Sequence, residues 1–186
     1  MEAGSERFWI LVDQEKDTVW RLARALTHSY DEAMDLMSET WVEAYRSYPT
    51  LRDEAAFRKF VSTIAVRLYR RKRWRARLFL PLDAAVEVAS EPRRESSHDL
   101  DLLLRSLTRL PKKQREAIVL FEITGLSMKE IQDIQGGSLA GVKSRINRAR
   151  IGLKEMMLDP AWHGDDSVTR ISLAEFEVGN VRLQQL

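Results

Sequence analysis

The sequence predicts an all-α protein of two small helical domains joined by a flexible linker. Glycine and proline are scarce, with 8 and 5 among 186 residues. Apolar residues recur at spacings of three and four, and alternating strand-like runs are absent before about Val168. A chain of this length can form two modest hydrophobic cores. The predicted parts are a first domain at 1–78, a linker at 79–97, a second domain at 98–158 and a C-terminal extension at 159–186.

Three helices are predicted in the first domain, at residues 6–27, 31–48 and 53–77. The second of them places apolar residues along one side and Asp35, Ser38, Glu39 and Glu43 along the other. As a hypothesis, Asp35 and Glu39 meet basic groups on a partner protein. An ordinary solvated acidic face is the alternative.

The third helix combines aromatic and basic residues. Seven of the eleven positions at 67–77 are basic, and Phe57, Phe60, Tyr69 and Trp74 lie before or among them. Aromatic faces beside cations are how proteins hold unstacked bases. We expect Tyr69 and Trp74 to face nucleic acid, whereas core packing and base contact are equally consistent with Phe57 and Phe60.

The helical pattern breaks down between the two domains. Pro81 and Pro92 interrupt it, and residues 83–95 hold four acids against two arginines. We interpret this segment as a mildly acidic linker, and a solvated tether without further role is the alternative.

Four helices are predicted in the second domain, at residues 97–109, 112–124, 128–135 and 139–158. Ser127 and Glu130 have the spacing of a capping box, which starts a helix. Gly136 and Gly137 end that helix after about two turns, and Ser138 can cap the next one. A short helix, a tight turn and a longer capped helix form the pattern of a helix-turn-helix that reads duplex DNA.

The last of these helices has an apolar and a cationic side. Its apolar residues are Val142, Ile146, Ala149, Leu153 and Met156. The residues expected to project outward are Lys143, Ser144, Arg145, Asn147, Arg148, Arg150 and Lys154. Cations suit phosphates, and hydroxyl and amide groups suit base edges. A solvated face is the alternative, but such faces usually mix charges, and this helix has no acid before Glu155.

The composition changes again past Pro160. Two short alternating apolar runs flank Gly179 and Asn180, which indicates a β-hairpin. A short helix or a disordered tail is equally consistent with the pattern.

Several classes of protein are disfavoured. Cysteine is absent, and the three histidines share no ligand spacing, so we expect no metal and no cofactor. The N-terminus lacks the order of a signal peptide, and no apolar run is long enough for a membrane span, so we expect a cytoplasmic protein. No carboxylate cluster or activated nucleophile supports an enzyme.

Taken together, these residues resemble the bacterial sigma factors of the extracytoplasmic-function type, group 4 of the sigma-70 family, over about residues 7–157. The matching stretches in the second domain are LTRLP at 107–111, REAIVL at 115–120, GLS at 125–127 and VKSRINRAR at 142–150. Those in the first domain are DEAMDLMSETW at 31–41 and FRKF at 57–60, followed by the basic helix. The chain departs from the usual pattern in the first domain at Met34, Ser38, Phe60 and Arg67. In the second domain it departs at Gln132, Gly137 and the Ala140–Gly141 pair.

The resemblance implies a promoter-recognition subunit of RNA polymerase that catalyses nothing itself. The residues it assigns to the −35 element are Ser138, Ala140, Lys143, Ser144, Arg145, Asn147 and Arg148. Those it assigns to recognition and melting of the −10 element are Phe60, Arg67, Tyr69, Arg70, Arg71, Arg73 and Trp74. It assigns polymerase binding to Asp35, Ser38 and Glu39. The implied partners are promoter DNA, core RNA polymerase (the β′ clamp and the β flap) and an anti-sigma factor.

A second function stays open on the residues alone. A stand-alone transcriptional regulator would use the same helix-turn-helix, with the first domain serving dimerisation or sensing. Such a regulator would bind palindromic DNA as a dimer without polymerase.

Overall fold

In a computed structural model, the backbone is described at residues 2–79 and 98–158, and side chains at 6–76 and 100–158. The chain divides into two compact units, Met1–Glu91 and Pro92–Leu186. The division falls inside the predicted linker. Within the described ranges the regular structure is entirely helical, which confirms the all-α prediction. None of the described helices is both long and apolar enough for a membrane span. The predicted linker and C-terminal extension lie outside the described residues.

The described part of the first unit, residues 2–79, is a bundle of three α-helices. They are α1 (Glu2–Leu26), α2 (Tyr30–Ser47) and α3 (Phe57–Phe79). Each packs against the other two. Aromatic and aliphatic side chains with almost no exposed surface form the shared core: Phe8, Leu22, Leu26, Leu36, Phe57 and Val61. Burial of each such side chain stabilises the fold by about 1.5–3 kcal/mol.

Polar side chains set where the helices of this bundle begin. The Ser29 hydroxyl accepts from the backbone N–H of Glu32 at 3.1 Å, which caps α2. The Asp53 carboxylate caps a 3₁₀ turn, Glu54–Ala56, that leads into α3. The predicted third helix began at Asp53, and its α-helical part begins at Phe57 because this tighter turn comes first.

Over residues 98–158, the second unit contains four helices, with bounds close to those predicted. They are α4 (His98–Arg109), α5 (Lys112–Glu122), α6 (Met128–Gln135) and α7 (Leu139–Leu158). Helix α7 packs against the other three. Its buried side chains are Val142, Ile146, Ala149, Leu153 and Met157. The prediction of Met156 was wrong by one residue, because the buried stripe continues from Leu153 in a step of four.

The predicted capping box and glycine turn are both present. The Ser127 hydroxyl accepts from the Glu130 N–H at 3.3 Å, while the Glu130 carboxylate accepts from the Ser127 N–H at 2.9 Å. Gly136 and Gly137 have φ values of +73° and +89°, which side chains with a Cβ rarely adopt. The Ser138 hydroxyl accepts from the backbone N–H three residues later at 3.1 Å and caps α7. These contacts fix where α6 ends and where α7 begins.

Candidate nucleic-acid interface

One side of α3 combines aromatic rings and cations. Phe60, Arg67, Arg70, Arg71 and Trp74 follow each other at helical spacings and lie along one stripe. Arg67, Arg71 and Trp74 are exposed, and Trp74 retains 63% of its accessible surface. The structure therefore brings five of the seven residues expected at the −10 element together on one surface.

Tyr69 and Arg73, the other two, lie on a different side of α3. The expectation that Tyr69 faces nucleic acid is wrong, because α1 and α2 both cover α3 and leave Tyr69 only 3% exposed. The Arg73 guanidinium lies 5.8 Å from the Tyr69 ring centre, and its Nη1 is 2.8 Å from Nε2 of His28. Both residues therefore belong to the packing of the bundle.

A pocket opens beside Phe60, where the segment between α2 and α3 meets the start of α3. Its volume is about 380 Å³. The lining combines hydroxyl, apolar and cationic side chains: Ser47, Thr50, Ala56, Lys59, Phe60, Thr63, Ile64 and Arg67. An aromatic wall beside hydroxyls and two cations suits a nucleotide, whose base stacks and whose phosphate is anionic. Of these residues, the sequence prediction included only Phe60 and Arg67.

The segment at residues 48–56, which forms one wall of this pocket, is held to α1 by Glu54. Nε of Arg7 lies 3.0 Å from Oε1 of Glu54, and Nη2 lies 2.7 Å from Oε2. The Tyr48 hydroxyl donates to the same carboxylate at 3.3 Å. The hydrogen bond from Arg7 lowers the pKa of Glu54 below its ordinary value. No local pattern reveals this contact, because Arg7 and Glu54 are 47 residues apart.

Two ion pairs join α2 to α3 beside the exposed stripe. Arg67 donates to Glu43 at 2.9 Å, and Lys72 to Glu39 at 2.9 Å. The Arg67 side chain remains 63% exposed, so Glu43 orients it at the pocket without covering it. Glu39, expected to meet a basic partner protein, already has a cation beside it within its own domain.

The outer surface of α2 is apolar as well as acidic. Asp35 and Ser38 are exposed, and Val42 and Tyr45 lie on the same side of the helix with about half of their surface exposed. Trp9 of α1 is 56% exposed and stacks on Tyr45, with ring centres 6.2 Å apart. We call these five residues the α2 face. Exposed aromatic and aliphatic groups gathered in this way are typical of a protein-binding surface.

The second unit presents a polar and cationic surface along the first half of α7. The exposed residues are Ser138, Leu139, Ala140, Lys143, Ser144, Asn147 and Arg148. Six of the seven residues expected at the −35 element are among them. Leu139, absent from that expectation, is 49% exposed and adds an apolar group of the kind that contacts thymine methyls.

Arg145 and Arg150 do not project outward as expected. Arg145 is half-buried and donates hydrogen bonds to residues of the glycine turn and of α6. Arg150 donates to the Glu122 carboxylate at 2.6 Å and lies over the Phe121 ring at 5.5 Å. Both guanidiniums meet acceptors distant in sequence, so helical periodicity alone did not reveal their orientation.

Comparison with known families matches both units. The Sigma-70 region 2 family profile matches residues 11–77, and the Sigma-70 region 4 profile matches residues 100–151. These ranges correspond to the three-helix bundle and to the helix-turn-helix unit.

Individual relatives agree. The chain is 36% identical over 155 residues to "ECF RNA polymerase sigma factor SigE" of Mycolicibacterium smegmatis, covering 79% of this chain and 60% of that protein. It is 30% identical over 139 residues to "ECF RNA polymerase sigma factor SigM" of Mycobacterium tuberculosis, covering 74% of this chain and 70% of that protein.

A solved structure has the same fold. The sigma factor RpoE of Bartonella quintana, crystallised with the anti-sigma factor NepR, superposes with a TM-score of 0.64 at 25% identity. The match covers 83% of this chain and 96% of that one. With both region profiles and these relatives in agreement, this chain belongs to the ECF RNA polymerase sigma factors of the sigma-70 family.

Proposed function

We propose that this chain directs core RNA polymerase to specific promoters and opens the DNA there. The observation that carries the proposal is the presence of two different nucleic-acid surfaces on one chain. The first half of α7 suits a DNA duplex, and the stripe and pocket of α3 suit an unpaired strand. The chain catalyses no covalent step, and we place its activity in the cytoplasm, where polymerase and promoters meet.

The surface of α7 reads the −35 duplex. Lys143 and Arg148 meet phosphates, while Ser144 and Asn147, exposed between them, are within reach of base edges in the major groove. The N-terminal end of α7 adds the positive end of a helix dipole, which favours a phosphate. Affinity for duplex DNA should therefore fall steeply with salt.

The stripe and pocket of α3 hold the melted −10 strand. A base taken out of the duplex stack enters the pocket and packs against Phe60. Arg67, oriented by Glu43, binds the adjoining phosphate, and Trp74 offers an open ring face to a second base. Stacking on an aromatic ring contributes about 1–3 kcal/mol per base, which offsets part of the cost of unpairing.

The α2 face docks on core polymerase. Asp35 meets a basic group at the rim of that contact, and Val42, Tyr45 and Trp9 supply the apolar area that is desolvated. We assign this contact to the clamp of the β′ subunit, and a second contact, from the helix-turn-helix unit, to the flap of the β subunit.

An anti-sigma factor controls this activity by covering the same surfaces. The support is the Bartonella quintana sigma factor, which was crystallised with such a partner. Core polymerase and an anti-sigma factor cannot both occupy the α2 face at once, so binding of the anti-sigma factor would exclude polymerase.

Binding to core polymerase tests the proposal. The full chain should co-elute with core enzyme, and Asp35→Arg should weaken binding by roughly tenfold or more, the usual cost of a disrupted interfacial charge. Asp17→Arg, the same charge reversal at an exposed position of α1 outside the α2 face, serves as the matched control and should leave binding unchanged. Equal binding by wild type and Asp35→Arg would remove the α2 face from the contact.

A further inference from the structure

We propose that Arg145 positions the DNA-reading helix instead of contacting DNA, and that it does so with Gln132 and Gln135. We call these three side chains the turn clamp, because they surround the Gly136–Gly137 turn that joins α6 to α7. The inference rests on the proposed reading of duplex DNA by α7.

Arg145 uses three of its nitrogens within the protein. Nε donates to the Gly141 carbonyl at 3.1 Å, and Nη2 to the Gly136 carbonyl at 3.1 Å. Nη1 donates to the side-chain oxygen of Gln135. A guanidinium is a rigid planar fork, so three acceptors in these directions fix its place. Three of its five N–H groups are thus used within the protein, one on each nitrogen, and the guanidinium is held against the turn and not extended from the helix.

The two glutamines complete the clamp from the side of α6. The Gln132 amide donates to the Gly137 carbonyl at 2.8 Å. The Gln135 amide donates to the Lys113 carbonyl at 3.0 Å, which connects the clamp to α5. Each carbonyl of the glycine turn is thus held by a different side chain. The N-terminal end of α7 is consequently fixed to both preceding helices.

Small residues make room for the guanidinium. A Cβ on Gly137 would lie 3.3 Å from Nη2 of Arg145, closer than an ordinary van der Waals contact. A Cβ on Gly141 would lie 3.2 Å from the Ser138 hydroxyl that caps α7. Gly137 and Gly141, where this chain departs from the usual family pattern, lie against the Arg145 side chain. Gln132, another departure, holds the Gly137 carbonyl, so the three residues belong to one arrangement.

Lys143 provides the contrast that makes the proposal testable. It lies two residues before Arg145 on the same helix and is exposed. A cation that binds a phosphate releases counterions from the DNA. Its loss therefore makes the negative slope of log affinity against log salt shallower by about 0.9. A positioning cation changes the geometry of the helix and leaves this slope unchanged.

The experiment compares full-length Arg145→Gln and Arg145→Lys with Lys143→Gln. Each is measured by amide hydrogen exchange at residues 136–142 without DNA, and by binding to two duplexes. One is a random duplex of about 20 base pairs, and the other is the duplex that wild type enriches from a randomised library. The readouts are the salt slope and the ratio of the two affinities.

Both Arg145 variants should exchange these amides roughly tenfold faster, as expected when charge-assisted hydrogen bonds are lost. They should lose most of the preference for the enriched duplex and keep the wild-type salt slope. Lysine should not rescue, because one ammonium cannot reach three acceptors. Lys143→Gln should show the opposite pattern, with a lower slope and unchanged exchange.

Three results would overturn the proposal. A lowered slope with unchanged exchange in Arg145→Gln would make Arg145 a phosphate contact. Rescue by lysine would show that charge suffices. An unchanged affinity ratio would show that Arg145 only stabilises the fold. If Arg145→Gln unfolds the unit, Gln132→Ala, which removes one turn contact, should still raise exchange and lower the ratio. Failure of wild type to bind duplex DNA would count against the proposed reading of duplex DNA by α7, while the exchange result on the protein without DNA would stand.

Discussion

Replacing Trp74 and Tyr69 separately distinguishes a ring that binds DNA from a ring that holds the bundle together. Both lie among arginines on α3, but Trp74 is 63% exposed and Tyr69 is 3% exposed. Trp74→Ala should change the free energy of unfolding by less than about 0.5 kcal/mol, as is usual for exposed positions. Tyr69→Ala removes a buried ring and should cost about 3–5 kcal/mol.

The effects on promoter opening should be reversed. Loss of stacking on Trp74 forfeits about 1–3 kcal/mol, which corresponds to roughly a 5- to 150-fold drop in the equilibrium constant for strand opening. Tyr69→Phe keeps the buried ring and should open promoters like wild type. Chemical denaturation of the full chain measures the free energy of unfolding. Permanganate reactivity of unpaired thymines in the polymerase complex measures promoter opening.

Trp74→Phe is the matched variant, since it keeps a ring face at the same place. It should recover most of the opening lost in Trp74→Ala. Two outcomes would refute the reasoning: destabilisation by Trp74→Ala as large as that by Tyr69→Ala, or promoter opening that does not change when Trp74 is truncated.

Three further substitutions test the pocket, the segment beside it and the helix-turn-helix. Phe60→Ala should reduce permanganate reactivity at the −10 element roughly 5-fold or more through lost stacking, without changing duplex affinity; a parallel fall in duplex affinity would contradict a specific role of the pocket. Glu54→Gln removes a carboxylate whose pKa in the folded chain lies below its ordinary value of 4.5. Wild type should therefore be more stable than Glu54→Gln above pH 4.5. It should lose that advantage as the pH falls through the lowered pKa. Denaturation curves at pH 7 and pH 3 measure this difference, and a difference that persists at low pH would exclude the ion pair with Arg7 as its source. Ser127→Ala should destabilise the second unit by about 1 kcal/mol through loss of the capping box, whereas Ser144→Ala, on the exposed face of α7, should not; equal melting temperatures for both would contradict the cap.

Local sequence features predicted most of the fold. Helical spacing gave the helices of both units, and the capping box at Ser127 and the glycines at 136 and 137 gave the boundaries of α6 and α7. These features can be recognised in the sequence because each depends on residues within four positions of one another. The surface of α7 was predicted for the same reason, since an amphipathic helix shows which side faces outward.

Contacts between distant residues were not predictable in this way. Tyr69 was assigned to DNA because its neighbours are arginines, yet it is only 3% exposed, on a helix that packs against both α1 and α2. Arg150 was assigned to the exposed face because of its position on the helix. It instead donates to Glu122, which lies 28 residues away and could not be found from helical spacing. The pocket beside Phe60 depends on how residues 48–56 pack against the start of α3, and Arg7 holds that segment from another helix.

This chain is proposed to give core RNA polymerase both promoter recognition and strand opening. The most direct test is run-off transcription by core polymerase on a library of randomised promoters, with and without the purified chain. We expect transcripts only when core polymerase and the chain are both present, from templates that share one sequence block read as a duplex and one block that is melted. No chain-dependent transcript, together with binding of a palindromic duplex by a dimer without polymerase, would contradict it and indicate a stand-alone regulator.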